Sequence, residues 1–201
     1  MEVSPPCSTV PYGCVEARAQ STPQRSDNEN SVITVIGVGN PVMGDDGAGL
    51  AILRRLQGIT NDLDWVPRLS TSDPAAPNYI DGGTSGMELL PIVQDADKLL
   101  LLDAVTGPGA PGDVVRLHGD QIPRLLSSRL SPHQVGLLDL LSAARLLGRE
   151  PNEVAVVGIV VEHCDLHVGL SQAVTDAIET ATDAARDVIA EWQRLEAAHA
   201  N

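Results

Sequence analysis

Strand-like and helix-like patterns of apolar residues alternate along most of this chain. Residues 31–39 and 98–105 are nearly continuous runs of aliphatic residues, the pattern of strands buried on both faces. Residues 171–200 instead repeat apolar side chains with a helical period, which predicts a long amphipathic helix. The pattern also predicts strands just before residue 81, at 113–118 and at 153–162, and helices at 45–58, 86–96, 120–128 and 131–148.

This order of elements predicts an α/β fold. Strands that alternate with helices form a central sheet covered on both faces. We therefore expect a three-layer sandwich, with a twisted, mostly parallel sheet of about five strands flanked by helices. The alternating segment 113–118 is expected to be an edge or antiparallel strand. Ligands of such sheets bind beyond the carboxyl ends of the strands.

One domain is expected to account for most of the chain, because 201 residues suffice for a single hydrophobic core. Residues 1–30 are rich in Ser, Pro, Gln, Asn and charge and lack periodicity, which predicts a disordered extension. Residues 31–201 are predicted to form a single α/β domain. Within it, the proline-rich segment 59–77 is expected to be a loop.

Charge excludes several classes of partner. A net charge of -14 argues against nucleic acid, whose phosphates attract basic residues, and against anionic membranes. A basic segment on a protein partner would be attracted. The three cysteines form no disulfide pattern, and neither a signal peptide nor an apolar run of the ~20 residues that span a bilayer is visible. We expect a cytoplasmic, reduced protein.

Three segments place possible metal ligands beside predicted strand and helix ends. They are GVGNPVMGDDGAG (37–49), IDGGTSG (80–86) and SPHQVG (131–136), and their candidate residues are Asp46, Asp81 and His133. Two carboxylates with a neutral imidazole suit Zn, Ni, Mn or Fe, and three protein ligands leave a position open for chemistry. The positive end of a helix also favours the neutral form of His133.

Each candidate also has an ordinary structural interpretation. Asp46 or its neighbour Asp45 can cap the helix that follows, Asp81 can stabilise a local turn, and His133 can be a polar residue in a first helical turn. Asp103 and Glu162 are reserve carboxylates at the same edge of the sheet, although a loop-orienting role is favoured for Asp103.

Other motifs give weaker signals. The segment HCDLH (163–167) matches no zinc-binding spacing. The glycine-rich turn lacks the third glycine of a dinucleotide site, where Val42 stands, and its acidic residues would repel pyrophosphate. No phosphate-loop lysine or nucleophile-elbow serine is found, and Cys164 is not favoured as a nucleophile.

Together, the three segments and the strand at 153–162 resemble the [NiFe]-hydrogenase maturation endopeptidases over nearly all of 32–185. The resemblance implies a protease that removes the C-terminal extension of a hydrogenase large-subunit precursor after nickel insertion. It places the metal-contacting residues at Asp46, Asp81 and His133. It also implies a monomer, with nickel carried by the precursor and other divalent metals able to substitute.

Three other functions remain open at this point. One is a non-catalytic nickel-binding or chaperone-like module that grips the same precursor. Another is a metallohydrolase of small molecules on the same fold, and the third is a nucleotide-binding protein. Whether a metal polarises the scissile carbonyl or only positions the precursor is not decided by the sequence.

Overall fold

One five-stranded sheet forms the centre of the molecule. The computed structural model describes residues 31–59, 76–107, 109–119, 121–122, 132–161 and 164–199, without the side chains of 132–136 and 199. The strand order is β2-β1-β3-β5-β4, and only β4, at one edge, runs antiparallel. The strands are β1 Ile33–Val38, β2 Asn78–Gly83, β3 Lys98–Val105, β4 Val114–His118 and β5 Glu153–Val160.

Four helices with both ends in the described part of the chain connect or follow these strands, and two of them begin with a short 3-10 turn. The predicted helices at 45–58, 86–96, 131–148 and 171–200 are confirmed. The predicted helix at 120–128 and the loop at 59–77 lie mostly outside the described residues. The helices are α1 Ala48–Leu56, α2 Leu90–Asp95, α3 Pro132–Leu146 and α4 Gln172–His199, and the 3-10 turns are Gly44–Gly47 and Met87–Leu89.

The helices cover both faces of the sheet, which confirms the predicted three-layer architecture. One buried cluster joins α1 and α4 to one face, and a second joins α2 and α3 to the other. Alternate residues of β3 divide between the two clusters, as the pleat of a strand requires. The face of α4 predicted to be apolar is buried as expected, from Val174 to Trp192.

The prediction that Asp45 or Asp46 caps the first helix is wrong. No side chain caps α1, whose N-cap position is Gly47. Both carboxylates instead accept hydrogen bonds from distant backbone groups, which are described with the site. Tertiary contacts have therefore displaced the local capping interaction that the sequence favours.

Lys98, the only lysine in the chain, is buried at the start of β3 and holds the C-terminal part of α4. Its ammonium group lies 2.9 Å from a carboxylate oxygen of Glu196 and donates to the carbonyl of Trp192 over 3.3 Å. This contact lies at the amino ends of the parallel strands, opposite the edge at which ligands bind.

Two predictions concern regions that the described residues do not decide. Residues 1–30 and Glu162 lie outside them, so the boundary at residue 31 and the reserve role of Glu162 stay predictions. Across the described ranges, no helix combines the length and apolar character needed to cross a lipid bilayer.

Candidate active site

The loop after β1 is closely packed around Gly39. Gly39 has φ of 130°, and a Cβ atom there would lie 1.9 Å from the carbonyl oxygen of Asp46. Only glycine fits this position without strain. The Gly39 N–H also donates to the carbonyl of Gly83 over 2.8 Å, which ties the loops after β1 and β2 together. The glycines of the motif thus serve close packing around Asp46.

Asp46 is held inside this loop. It lies in the turn Gly44–Gly47, its side chain is only 5% exposed, and its Oδ2 accepts a hydrogen bond from the Asn40 N–H over 2.8 Å. This hydrogen bond fixes the orientation of the carboxyl group. The motif therefore presents a fixed, shielded carboxylate beyond the end of β1.

Asp103 is the second buried carboxyl group at this edge. It lies near the carboxyl end of β3, is 2% exposed, and is aligned with Gly158 of β5. Its Oδ2 has no hydrogen-bond partner among the described residues. A buried polar atom without a partner is costly, and such atoms are common where a ligand supplies the missing interaction.

The negative charge of Asp46 acts on Asp103. The pKa of Asp103 is raised well above its ordinary value of 3.8, first by burial and then by the negative charge of Asp46. The backbone N–H of Ala104 opposes this shift only in part. A buried carboxyl group near a second negative charge either holds a proton or is stabilised in its charged form by a cation.

Replacing Asp103 should reveal this proton in the pH dependence of stability. Because the folded pKa is raised, the stability that Asp103 contributes is complete below about 3.8 and is lost as pH rises through the folded pKa. We expect Asp103→Asn to match wild type near pH 4 and to exceed it by at least ~1 kcal/mol near pH 8. Urea unfolding in chelator tests this, and a constant difference across pH would contradict it.

Asp81 has a different environment from this pair. It lies within β2, its side chain is exposed, and its Oδ1 accepts a hydrogen bond from the Gly83 N–H over 3.0 Å. This is the local turn interaction that the sequence allowed as an alternative. Asp81 is thus exposed at the same edge of the sheet at which Asp46 and Asp103 are buried. Its role as a metal ligand stays a prediction.

His133 is the second residue of α3, and its side chain lies outside the described residues. Leu137 and Leu140 of the same helix pack in the cluster that covers one face of the sheet. Leu101 and Val105 of β3 belong to that cluster, so the alternation of the strand places Asp103 on the same face. The helix that carries His133 therefore covers the face to which Asp103 belongs.

Asp45 anchors the first loop to the start of α4. Its Oδ1 accepts a hydrogen bond from the Ser171 N–H over 2.6 Å, and the Ser171 hydroxyl accepts one from Val174 over 3.4 Å. A carboxylate at the positive end of a 28-residue helix is favourably placed. This contact fixes the backbone on one side of Asp46.

The carboxyl groups of Asp46 and Asp103 suit a divalent cation, although the described part of the chain contains no complete set of metal ligands. No three His, Cys, Asp or Glu side chains of the described residues are arranged to hold a metal. The Cys164, Asp165 and His167 of HCDLH therefore form no such site with their described neighbours. Two buried carboxyl groups, one with an unpartnered oxygen, nevertheless provide hard oxygen donors for a cation that also accepts an imidazole.

Comparison with known proteins identifies the family. Residues 69–188 match the hydrogenase maturation protease family. The chain is 36% identical over 152 residues to hydrogenase 2 maturation protease of Escherichia coli K12, covering 75% of this chain and 86% of that protein. The structure of the hydrogenase maturating endopeptidase HybD from E. coli aligns with a TM-score of 0.69 at 33% identity, covering 80% of this chain and 93% of HybD. The chain belongs to the hydrogenase maturation protease family.

Cys164 is unsuited to act as the nucleophile of this protease. Burial, followed by the negative charges of Asp46, Asp45, Asp103 and Asp165, raises the pKa of its thiol from 9.0 to about 11. The nucleophilic form of cysteine is the thiolate, which this environment suppresses.

We expect Cys164 to react with iodoacetamide roughly a hundredfold more slowly than a thiol with the ordinary pKa, since near pH 8 its thiolate fraction is lower by that factor. The measurement uses a Cys7→Ser/Cys14→Ser background, with the same protein unfolded in urea as control. Equal rates in folded and unfolded protein would show that the carboxylates do not suppress the thiolate.

The sequence motifs favour Asp46 and Asp81, whereas Asp103 stands out only as a reserve carboxylate. Asp103 follows four leucines in a run that predicts a buried strand, and a carboxyl group in such a strand is rarely buried without a function. That signal was available. The glycines after Asp81 were more conspicuous, and the structure shows that they shape the backbone around Asp81 and the link to Gly39.

Proposed function

We propose that this maturation protease removes the C-terminal extension from the precursor of a [NiFe]-hydrogenase large subunit after nickel has been inserted. The observation that carries the proposal is the buried pair Asp46 and Asp103, at the ligand-binding edge of the sheet in a chain of this family. We include His133 with the pair because its helix covers the face on which Asp103 lies.

Nickel belongs to the precursor in this proposal and is recognised as part of the substrate. The shielded carboxylate of Asp46 and the Oδ2 of Asp103, which has no partner among the described residues, provide oxygen acceptors that a bare, apolar peptide cannot satisfy. A divalent cation bound to the precursor satisfies both. Other divalent cations that accept oxygen and nitrogen donors are expected to substitute.

Asp46 and Asp103 have different environments at this edge of the sheet. Asp46 accepts a hydrogen bond from the Asn40 N–H, whereas burial raises the pKa of Asp103 and favours its protonated form. We propose that Asp46 accepts a proton from the attacking water and that Asp103 donates one to the leaving amine. A bound cation would polarise the scissile carbonyl or the attacking water. We therefore propose a metal-dependent, aspartic-type or metallo-type peptidase without a covalent intermediate.

We propose that Asp81 acts in precursor binding. Its exposed carboxylate lies in the strand next to β1, at the mouth of the same edge. There it can contact the nickel-bearing part of the precursor during binding, as the family resemblance implies for a metal-contacting residue. We propose that Asp46 and Asp103 contact the nickel-bearing part of the precursor throughout bond cleavage.

Asp46→Asn distinguishes the protease from a non-catalytic module that grips the same precursor. The substitution keeps the size of the side chain and leaves an oxygen that can accept the Asn40 N–H, but it removes the charge. We propose that the variant binds the nickel-loaded precursor and leaves it uncut, as read by pull-down and intact mass. Normal cleavage by this variant would exclude Asp46 from the chemistry, and turnover of small amides without the precursor would favour a small-molecule hydrolase.

A further inference from the structure

The loop after β5 is joined to the loop that carries Asp46. The His167 N–H donates to the Val42 carbonyl over 3.1 Å, and the Gly44 N–H donates to the His167 carbonyl over 2.7 Å. These bonds form a single parallel bridge between Met43 and His167. Two residues after Gly44, the same chain reaches Asp46, so this bridge borders the proposed active site.

Three exposed apolar side chains surround the bridge, and we call Val42, Leu166 and Val168 the apolar rim. They make up three of the eight large apolar residues that are exposed in the described part of the chain, at 47%, 83% and 78%. Val42 directly precedes Met43, and Leu166 and Val168 flank His167, so all three residues of the rim adjoin the bridged pair. A cluster of this kind marks a binding surface more often than scattered apolar residues do.

The main chain beside the bridge is open. Among the described residues, no hydrogen bond occupies the main chain of Leu166 or Val168. The N–H and C=O groups of His167 are both used by the bridge, whereas those of Leu166 and Val168 lie in the bends on either side of it. An extended peptide can pair with such groups while its alternate side chains contact apolar neighbours.

The surroundings of the rim favour a positively charged occupant. Asp165 adjoins Leu166, and the carboxylates of Asp45, Asp46 and Asp103 act together with it on Cys164. The whole chain carries a net charge of -14. A second copy of this chain would therefore be repelled, whereas a segment that carries a cation would be attracted.

We propose that the apolar rim docks an extended segment of the large-subunit precursor, apolar at alternate positions and positively charged, beside the bond to be cut. This inference rests on the proposed function and adds the surface that holds the substrate chain. Main-chain pairing would align the segment, and the rim would bury its apolar side chains. The buried carboxyl groups would meet the segment at its metal-bearing end.

The double variant Leu166→Ser/Val168→Ser tests the docking surface, with Leu146→Ser/Leu147→Ser as the matched control. Leu146 and Leu147 are also exposed, at the end of α3. We expect the rim variant to raise the KM for nickel-loaded precursor about tenfold with kcat unchanged, because two apolar contacts made on binding are lost. The control should keep both constants, and both variants should keep the wild-type melting temperature.

Binding of fluorescently labelled precursor, measured by anisotropy, separates failure of this inference from failure of the proposed function. If wild type binds the precursor more tightly than the rim variant does but does not cleave it, the docking proposal is supported and the protease assignment is refuted. If the rim variant changes neither cleavage nor binding, the docking proposal is overturned. A fall in kcat with KM unchanged would also overturn it. If the rim variant changes self-association but leaves precursor binding unchanged, the surface binds a second copy of this chain. That result would overturn the docking proposal.

Discussion

Replacing Asp103 by asparagine is expected to abolish cleavage of the precursor while leaving the fold at least as stable as before. Its carboxyl group is 2% exposed, has an oxygen without a described partner, and lies within the field of Asp46. Asparagine keeps the shape of the side chain but neither carries the charge nor exchanges the proton. We expect kcat/KM to fall on the order of a thousandfold, the scale seen when a preorganised polar group is lost from an active site.

The comparison with Asp81→Asn makes this prediction specific. Asp81 is exposed, and an asparagine oxygen can still accept the hydrogen bond from Gly83. We expect this variant to retain cleavage within about tenfold of wild type, mainly through weaker binding of precursor. Full loss of cleavage in Asp81→Asn with an active Asp103→Asn would reverse the roles that we propose. Urea unfolding of both variants excludes a trivial loss of structure.

Gly49→Ala is expected to be strongly destabilising, although it adds only one methyl group to a helix. Gly49 lies in α1 at its closest approach to the sheet, where a Cβ atom would come within 2.3 Å of the carbonyl oxygens of Val38 and Leu102. Neither backbone group can move without shifting a central strand. We expect a loss of about 3 kcal/mol in the free energy of unfolding, near the upper end for overpacking of a core.

The sign of this effect is informative because alanine normally stabilises a helix relative to glycine, by up to about 1 kcal/mol. Gly107→Ala is the matched control, since no heavy atom would lie within 4 Å of the added Cβ. Its unfolding free energy should stay within about 0.5 kcal/mol of wild type. If Gly49→Ala proved neutral or stabilising in urea unfolding, the close contact of α1 with β1 and β3 would be refuted.

The fold was largely predictable because its strands and helices have distinct hydrophobic periods. The aliphatic run at 98–105 coincides with β3, and the alternation at 113–118 correctly indicated the antiparallel edge strand β4. The apolar face of α4 followed from its helical period in the same way. These patterns are local, and burial in a layered sandwich enforces them residue by residue.

The site was less predictable because its contacts connect residues far apart in the chain. Asp45 accepts a hydrogen bond from Ser171, 126 residues away, so its local capping potential was a poor guide. The coupling of Asp46 to Asp103 likewise depends on how β1 and β3 are paired. The sequence placed several candidate carboxylates at one edge of the sheet, but only the packed structure distinguishes a buried carboxyl group from an exposed one.

The most direct test of the central claim is the intact mass of a purified [NiFe]-hydrogenase large-subunit precursor after incubation with this protein. The precursor is prepared with and without nickel, and Asp103→Asn serves as the inactive control. We predict that wild type releases a C-terminal peptide from the nickel-loaded precursor alone and that the variant releases none. An unchanged mass with a verified, nickel-loaded cognate precursor would contradict the assignment of this chain as its processing protease.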